Sequence, residues 1–372
     1  MPNAQDVQFL AQRSIEELCK LCENFADWVF GNSANLSSEG GLLLLREFDE
    51  KLEFSQGITK CIKDRRNPDY ITHQMSDLVQ ERLYMLMQGY EDCNDATYLR
   101  TDPTFKAILN RTNSDEDLAS QPTLCRLENR VTRQAIKKMI TFQIDRWLDS
   151  YKTIPNETVL DIDSTDDPTH GSQQITLFHG YYGQYMYHLL IFGCDGCVIF
   201  SYLRPGTNHA SRKVIPLMRF LLKKIKARFP NVQLRLRADA GFSIPRLIDF
   251  LEAEKIQYAM GMITNKRLIR KNNMFIQKAQ ETFDQTQEKQ RLFQSFKHKV
   301  DSWPHSRTVI AKAEVMDQGT NNRFLVSNIS ESPDFIYDTF YTQRGQYEND
   351  IKELKTGVHA DRLSCHRFIA NQ

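Results

Sequence analysis

Long apolar runs are missing from this chain. None of its 372 residues sits in a stretch approaching the roughly 20 apolar residues that a membrane helix needs, and the Leu42 to Leu45 run is far too short. The opening MPNAQDVQFLAQRS has no basic start followed by an apolar block, so no secretory signal is expected and the cytoplasm is the expected compartment. Eight cysteines in this length do not make a disulfide scaffold, and a reducing compartment keeps them as thiols. Net charge is only +1, so bulk charge names no partner. Internal repeats and low-complexity tracts are absent, which excludes solenoids and long disordered linkers. What remains, at 41% hydrophobic and 26% charged residues, is a soluble globular chain long enough for two or three packed units.

Two C-x2-C pairs raise the question of zinc. Cys19 and Cys22 lie in an apolar-periodic stretch with Ile15, Leu18 and Phe25, and read as core positions of a helix. Cys194 and Cys197 flank Asp195-Gly196, a dipeptide suited to a tight hairpin turn. Zinc would require these distant pairs to meet, whereas such motifs usually pair at short spacing. Charge is unevenly spread. Between Asp195 and Asp239 there is no acidic residue, while Arg204, Arg212, Lys213, Arg219, Lys223, Lys224, Lys226, Arg228, Arg235 and Arg237 all fall there. A block of one sign suits a polyanion such as DNA, or else forms a solvated helix face.

Residues 1–150 read as helical. Val79, Leu83, Leu86 and Met87 recur at helical spacing. Ser120 or Thr123 can cap a long helix running to about Asp149, with Arg126, Asn129, Arg130, Arg133, Lys137 and Lys138 off its apolar stripe. Beyond a linker at Tyr151 to Glu157, strands are expected at Thr158–Asp163, Tyr185–Cys194, Cys197–Leu203, Val232–Ala238 and Gln257–Met262. Helices are expected at Ala210–Phe229 and Ile244–Glu254. This order predicts a mixed α/β sheet with helices on its faces, and it resembles that of ribonuclease-H-like nucleases. From Thr264 to about Tyr337 a helical stretch precedes alternating runs at Leu292–Val300, Thr308–Val315 and Arg323–Ser327, which predict a small antiparallel meander. Gly345 to Lys355 is helical again.

Three acids stand out in this frame. In Val159-Leu-Asp161-Ile-Asp163 the side chains alternate, so both aspartates share one strand face, roughly 6.5–7 Å apart. The residues alone leave open which of the two is functional. Asp239 ends a strand and enters a Gly-containing turn. Tyr341, Arg344, Glu348 and Lys355 have the spacing Y-x2-R-x3-E-x6-K, which at helical pitch puts Arg344, Glu348 and Lys355 on one face. A cation on each side of a carboxylate holds it ionised for a metal and also reaches DNA phosphates. Hard divalent ions prefer such oxygen ligands, and a pair of them supports in-line phosphoryl displacement.

These motifs, with Leu160-Asp-Ile-Asp-Ser-Thr-Asp-Asp167 and Arg237-Ala-Asp-Ala-Gly-Phe242 preceding Tyr341 to Lys355 in order, resemble the DDE transposases of bacterial insertion sequences, in the branch with the tyrosine-arginine-glutamate-lysine signature. Gly41 to Asp49 and Ser120 to Asn129 also look familial. The resemblance implies an α/β, ribonuclease-H-like mixed sheet interrupted by a β-rich insertion and preceded by a helical N-terminal domain. Expected domains are a DNA-end-binding domain at 1–150, the first part of the catalytic core at 151–263, the insertion at 264–337, and the rest of the core with Glu348 at 338–372. It implies Asp163, Asp239 and Glu348 as catalytic, metal-binding acids. Asp163 is preferred to Asp161 because Ser164 follows it, as a small hydroxyl residue usually follows the family's first acid. Tyr341, Arg344 and Lys355 are implied as DNA-contacting residues.

The expected cofactor is Mg²⁺ or Mn²⁺, two ions per site. Expected partners are DNA with terminal inverted repeats, target DNA and a second copy of the chain, with no membrane. Arg126, Arg130 and Arg133 near the start of the long helix are expected to read DNA ends. Hydrolysis without strand transfer is the alternative from the same fold, and an inactive DNA-binding remnant the alternative from another class. The latter rests on the stretch Leu363 to Gln372, which reads as the start of a longer helix supporting Glu348. His170, His179 and His209 are expected to be loop polar groups rather than proton relays. Trp303 is expected in the meander core rather than stacked on a base.

Overall fold

A computed structural model of the protein describes residues 37–111 and 115–372. The helix expected around Cys19 and Cys22 lies outside these residues. The chain divides into two compact units: the first runs to Arg146 and adds Asp167–Thr176 and Glu353–Gln372, and the second comprises Trp147–Asp166 and Leu177–Lys352.

The first unit is helical. In order come α1 (Leu42–Leu52), α2 (Phe54–Cys61), α3 (Met75–Met87), α4 (Ala96–Leu99), α5 (Pro103–Ile108), α6 (Gln121–Arg130) and α7 (Arg133–Asp149). Leu42, Tyr84, Met85, Phe105 and Leu124 are fully buried at its core. Local sequence explains the helix starts. Asp102 accepts from the N–H groups of Thr104 and Phe105 at 2.8 and 3.0 Å, and Pro103 takes the first helical position, where no N–H is needed.

The single helix expected from Thr123 to Asp149 is two helices. Val131 is extended, with ψ of 133°, and Thr132 accepts from the Ala135 N–H at 3.2 Å, so a β-branched pair ends one helix and caps the next. The helix expected from Leu363 is also shorter than its apolar spacing suggests, covering only Phe368–Asn371. There the Asn371 side chain takes both backbone groups of Cys365, accepting at 2.9 Å and donating at 2.7 Å, in place of a helical turn.

The second unit carries a nine-stranded mixed sheet. Its strands are β1 (Glu157–Pro168), β2 (Leu177–His179), β3 (Gln184–Cys194), β4 (Cys197–Pro205), β5 (Gln233–Ala238), β6 (Gln257–Met262), β7 (Gln290–His298), β8 (Arg307–Met316) and β9 (Gly319–Ser327). The order across the sheet is β2-β3-β1-β5-β6-β9-β8-β7, with β4 also paired to β3. β1, β5 and β6 run parallel, whereas β9 pairs antiparallel with β6. The meander therefore continues the central sheet through β9. β2 is a short strand that the sequence pattern does not announce.

Asp195 and Gly196 both have positive φ, 50° and 76°, the tight turn that an Asp-Gly pair favours, and Cys197 beside them is exposed. Helices α8 (Val214–Arg228) and α9 (Pro245–Ala253) bury Met218, Leu221, Leu222, Leu247 and Leu251. Helix α10 (Lys266–Thr286) precedes the meander, and α11 (Arg344–Val358) carries the last motif. Trp303 is buried, edge-on to His298 and under the Arg307 guanidinium, as a core residue. Among the described residues no helix is long and apolar enough to cross a membrane.

Part of the basic stretch serves the interior, which neither a polyanion surface nor a solvated helix face anticipates. Arg204 is 1% exposed and donates to the carbonyls of His188 and Arg212 at 3.1 and 3.0 Å. Arg237 is also buried, paired with Asp161.

One buried acid of the helical core gives a test of this packing. Glu81 on α3 is 1% exposed and accepts from the Ala119 N–H at 3.0 Å. Burial pushes its carboxyl from 4.5 up to about 8, against the pull of that N–H. Between those values the native state keeps a proton that the unfolded state has released. Stability is therefore highest below about pH 4.5 on this account and declines as pH rises through about 8. Glu81→Gln, which keeps the shape without the charge, should raise the thermal midpoint at pH 8–9 by the equivalent of about 1–3 kcal/mol and leave it unchanged near pH 5. Parallel pH profiles for the two proteins would contradict it.

Candidate active site

The register of β1 and β5 brings two of the acids side by side. Asp161 pairs with Arg237 and Ile162 with Ala238, so Asp163 and Asp239 are the next residue on each of two parallel strands. Asp161 and Asp163 project from one face, as alternation requires. Their surroundings differ. Asp161 is 2% exposed and takes both arms of the Arg237 fork at 2.8 and 2.6 Å. Asp163 accepts from the Ser164 N–H at 2.8 Å and from Arg344 at 3.1 Å. Both of these bonds fall on Oδ1. Asp239 ends its strand and caps the following turn, accepting from the Gly241 N–H at 2.8 Å.

The third acid arrives on α11. A π-helical segment, Phe335–Tyr341, leads into it, and such wide turns are frequent at functional sites. Arg237 holds this segment over the sheet face, donating to the Phe340 carbonyl at 3.2 Å and to Gln343 at 3.0 Å, with the Phe340 ring 5.5 Å from its guanidinium. Helix α11 then packs on β3 through Tyr347 and Ile351. At Gly193 of β3 a Cβ would lie 2.2 Å from the Tyr347 ring, so only glycine admits the helix this closely. Ile351 is buried, whereas Leu354 on the same helix is 36% exposed. Arg344 at the helix start binds Glu348 one turn on and Asp163 on the strand, joining two of the three acids.

Burial is the main force on these charges. It pushes Asp163 up to about 6, opposed by Arg344 and the Ser164 N–H and reinforced by Asp239 and Glu348. Burial also raises Asp161, with Arg237 opposing. For Arg344, burial favours the neutral form, but Asp163, Glu348, Tyr341 and Asp239 together outweigh it and its pKa rises. Burial raises the Tyr341 hydroxyl too, with Asp239 and Glu348 adding to the rise. That hydroxyl lies beside Gly261 of β6, where a Cβ would meet it at 2.9 Å. Lys355 is half-buried on the same helix as Arg344 and Glu348.

The donor set is all carboxylate oxygen, which suits a hard divalent cation. Among the described residues, the group of three ligand-type side chains with donor atoms all within 4.8 Å of one another is Cys93, Cys125 and Glu128. The three acids stand wider than this, with the Arg344 guanidinium between two of them.

Sequence reading missed several neighbours. Tyr182, between β2 and β3, is raised to about 12 by burial and then by Asp166, Asp163 and Asp239, so it borders the acids. Asp166 accepts from Gln184 at 2.7 Å. No spacing rule points to a tyrosine in this loop, although Asp166 lies within the first acidic motif. The histidines hold loops: His179 packs on Tyr182 and His188, and His209 bonds Ser211 at 2.8 Å. His170 is exposed. Arg126 and Arg130 are exposed on α6 and line a groove with Arg66, Tyr70, His73 and Thr123, while Arg133 is exposed at the start of α7.

A family model described as transposase DDE domain group 1 matches residues 29–372. A search of the curated proteins finds no match. Among solved structures, the chain is similar to a piggyBac transposase in a synaptic complex with hairpin DNA, at 14% identity and a TM-score of 0.39, over 87% of this chain and 69% of that one.

The different surroundings of the two aspartates predict different costs of removal. Asp161→Ala leaves the buried Arg237 charge unpaired and should lose about 3–5 kcal/mol in denaturant unfolding. Asp163→Ala removes a carboxylate that burial disfavours and should cost less than about 1 kcal/mol. Equal losses would mean that both are structural.

Proposed function

This chain belongs to the family of DDE transposases, and we propose that its DNA chemistry is carried by Asp163, Asp239 and Glu348 holding two Mg²⁺ or Mn²⁺ ions. Two links support this reading: one strand register sets Asp163 beside Asp239, and one arginine ties Asp163 to Glu348. Members of the family use divalent ions, and three carboxylates are a fitting donor set. Held by Asp163, Asp239 and Glu348, such ions would supply activation of a water or 3′ hydroxyl and charge neutralisation for an in-line displacement.

The remaining residues position the DNA. A guanidinium fork fits a phosphate as well as it fits carboxylates, so Arg344 exchanges one of its acids for the backbone when DNA enters. Tyr341 and Lys355 take neighbouring phosphates. Asp161 stays with Arg237 and keeps the strand pair in register. We assign the strand and helix order around these acids to a ribonuclease-H-like core, with the meander as its β-rich insertion. The substrates are DNA ends bearing terminal inverted repeats, then target DNA, acted on by a homodimer. The groove of α6 suits the end by charge: Arg126 and Arg130, in the middle and at the last residue of the helix, are exposed and flanked by Arg66 and Tyr70.

Two measurements check this. With end-bearing DNA and Mg²⁺, the wild-type chain should cleave and give joined product, and chelation should stop both. Asp163→Ala, Asp239→Ala and Glu348→Ala should each lower cleavage by roughly 10²- to 10⁴-fold, the several kcal/mol that ion-assisted displacement supplies, with end binding retained. Cleavage without joined product would support hydrolysis alone, and activity in all three variants would remove the site.

In binding assays, Arg126→Ala or Arg130→Ala should weaken specific ends by about 1–3 kcal/mol if a base edge is read, or weaken all DNA and flatten the salt dependence if a phosphate is held. Unchanged affinity and unchanged salt dependence in both would take α6 out of the interface.

A further inference from the structure

Away from the acids, the helical unit gathers three thiols around one carboxylate. Cys125 and Glu128 sit one turn apart on α6, and Cys93 lies in the loop before α4. Their donor atoms all fall within 4.8 Å of one another. Cys365, in the C-terminal segment of the same unit, reaches the cluster from a fourth side, with Sγ 3.0 Å from Glu128 Oε2. Cys93 is 4% exposed, and Cys125 and Cys365 are partly buried.

We propose that Cys93, Cys125, Cys365 and Glu128 form a structural zinc site. Tetrahedral zinc with thiolates at about 2.3 Å needs donors about 3.8 Å apart, so Cys93, Cys125 and Glu128, within 4.8 Å of one another, close on an ion with small side-chain rotations, and Cys365, which stands wider but touches Glu128 at 3.0 Å, turns in as the fourth donor. Soft sulfur donors select zinc over the hard ions suited to the three acids.

The surroundings match what such a site requires. Three thiolates and a carboxylate around Zn²⁺ carry net negative charge, and Arg82 supplies a buried positive one, bonded to Glu128 Oε1 at 2.6 Å. The same arginine donates to the carbonyls of Tyr90 and Glu91 at 3.0 and 2.8 Å, fixing the loop that presents Cys93. Gln121 donates to Cys125 Sγ at 3.4 Å, an N–H aimed at sulfur of the kind that supports a thiolate ligand. Cys365 is presented by the two Asn371 bonds and by Gln173, which donates to its carbonyl at 3.2 Å.

The four donors come from three segments far apart in sequence. A metal joining them closes long loops and so stabilises this unit strongly. Its effect is to clip the C-terminal segment to α6 and to the Cys93 loop. No short Cys-x2-Cys motif signals this site, because α6 supplies a cysteine and a glutamate and the other two ligands are brought in by the fold.

The test uses the full chain, produced with added zinc under reducing conditions and dialysed against excess Mg²⁺, which a carboxylate site accepts and a thiolate site does not. Elemental analysis should find about one zinc per chain, falling to roughly a tenth or less in Cys93→Ser and Cys125→Ser but not in Cys197→Ser. Wild-type protein reloaded with Co²⁺ should show the intense visible bands and thiolate charge-transfer absorption of a tetrahedral sulfur site, a readout that does not depend on any variant folding. Chelation should lower the thermal midpoint of the wild type at neutral pH. Zinc-free protein without a tetrahedral Co²⁺ spectrum would overturn the proposal and leave a hydrogen-bonded thiol cluster. Full zinc in both cysteine variants, or iron–sulfur absorption in the purified chain, would also overturn it.

Discussion

Arg237 reaches from β5 to Asp161 on β1 and spends the rest of its guanidinium on the Phe340 carbonyl and the Gln343 side chain. One buried cation thereby fixes two relations at once. It locks the register of the parallel strands whose next residues are Asp163 and Asp239, and it ties down the segment from which α11 starts. Without it, the strand face would hold an unpaired carboxylate, and the segment leading into the helix would lose one of its two polar ties to the sheet, leaving the Arg344–Asp163 pair. A buried pair of this kind adds little to net stability against an apolar replacement, but it is costly to break, and it discriminates against other registers.

Bringing acids together works against electrostatics, and the fold meets that cost in two ways. Asp163 is pushed up to about 6 by burial and by its acidic neighbours, and Arg344 draws it back. Arg344 also binds Glu348, so one cation on the helix spans acids from two different elements. Packing does the rest. Tyr347 packs closely against Gly193, and Gly261 leaves space for the Tyr341 hydroxyl near Asp239. These contacts place the helix by shape as well as by charge.

Much of this was legible from residue patterns. Alternation in Val159 to Asp163, the Asp-Gly hairpin between β3 and β4, and the amphipathic stripe of α8 each follow from local periodicity, and each element stands where the pattern puts it. The break at Val131 and Thr132 was hidden because apolar spacing continues across it while the backbone turns on a single threonine cap. Asp161 and Asp163 were indistinguishable as strand positions; what separates them is that Arg237 stands opposite Asp161 in the neighbouring strand, a tertiary fact. Arg204 and Arg237 read as surface charge within a basic stretch, yet they are among the most buried polar residues. The Cys93, Cys125, Glu128 and Cys365 cluster was invisible for the same reason: its members meet only once the helical unit has closed.

Asp163, Asp239 and Glu348 are proposed to hold divalent ions at the end of the β1–β5 pair. Iron-directed backbone cleavage reads this position directly. Fe²⁺ with ascorbate and peroxide generates short-range hydroxyl radicals at the bound ion, and fragments report which segments surround it. Cuts are expected at three places, near Asp163, near Asp239 and near Glu348, all suppressed by excess Mg²⁺. Cuts confined to one of these segments, or cuts elsewhere that Mg²⁺ suppresses equally, would contradict it.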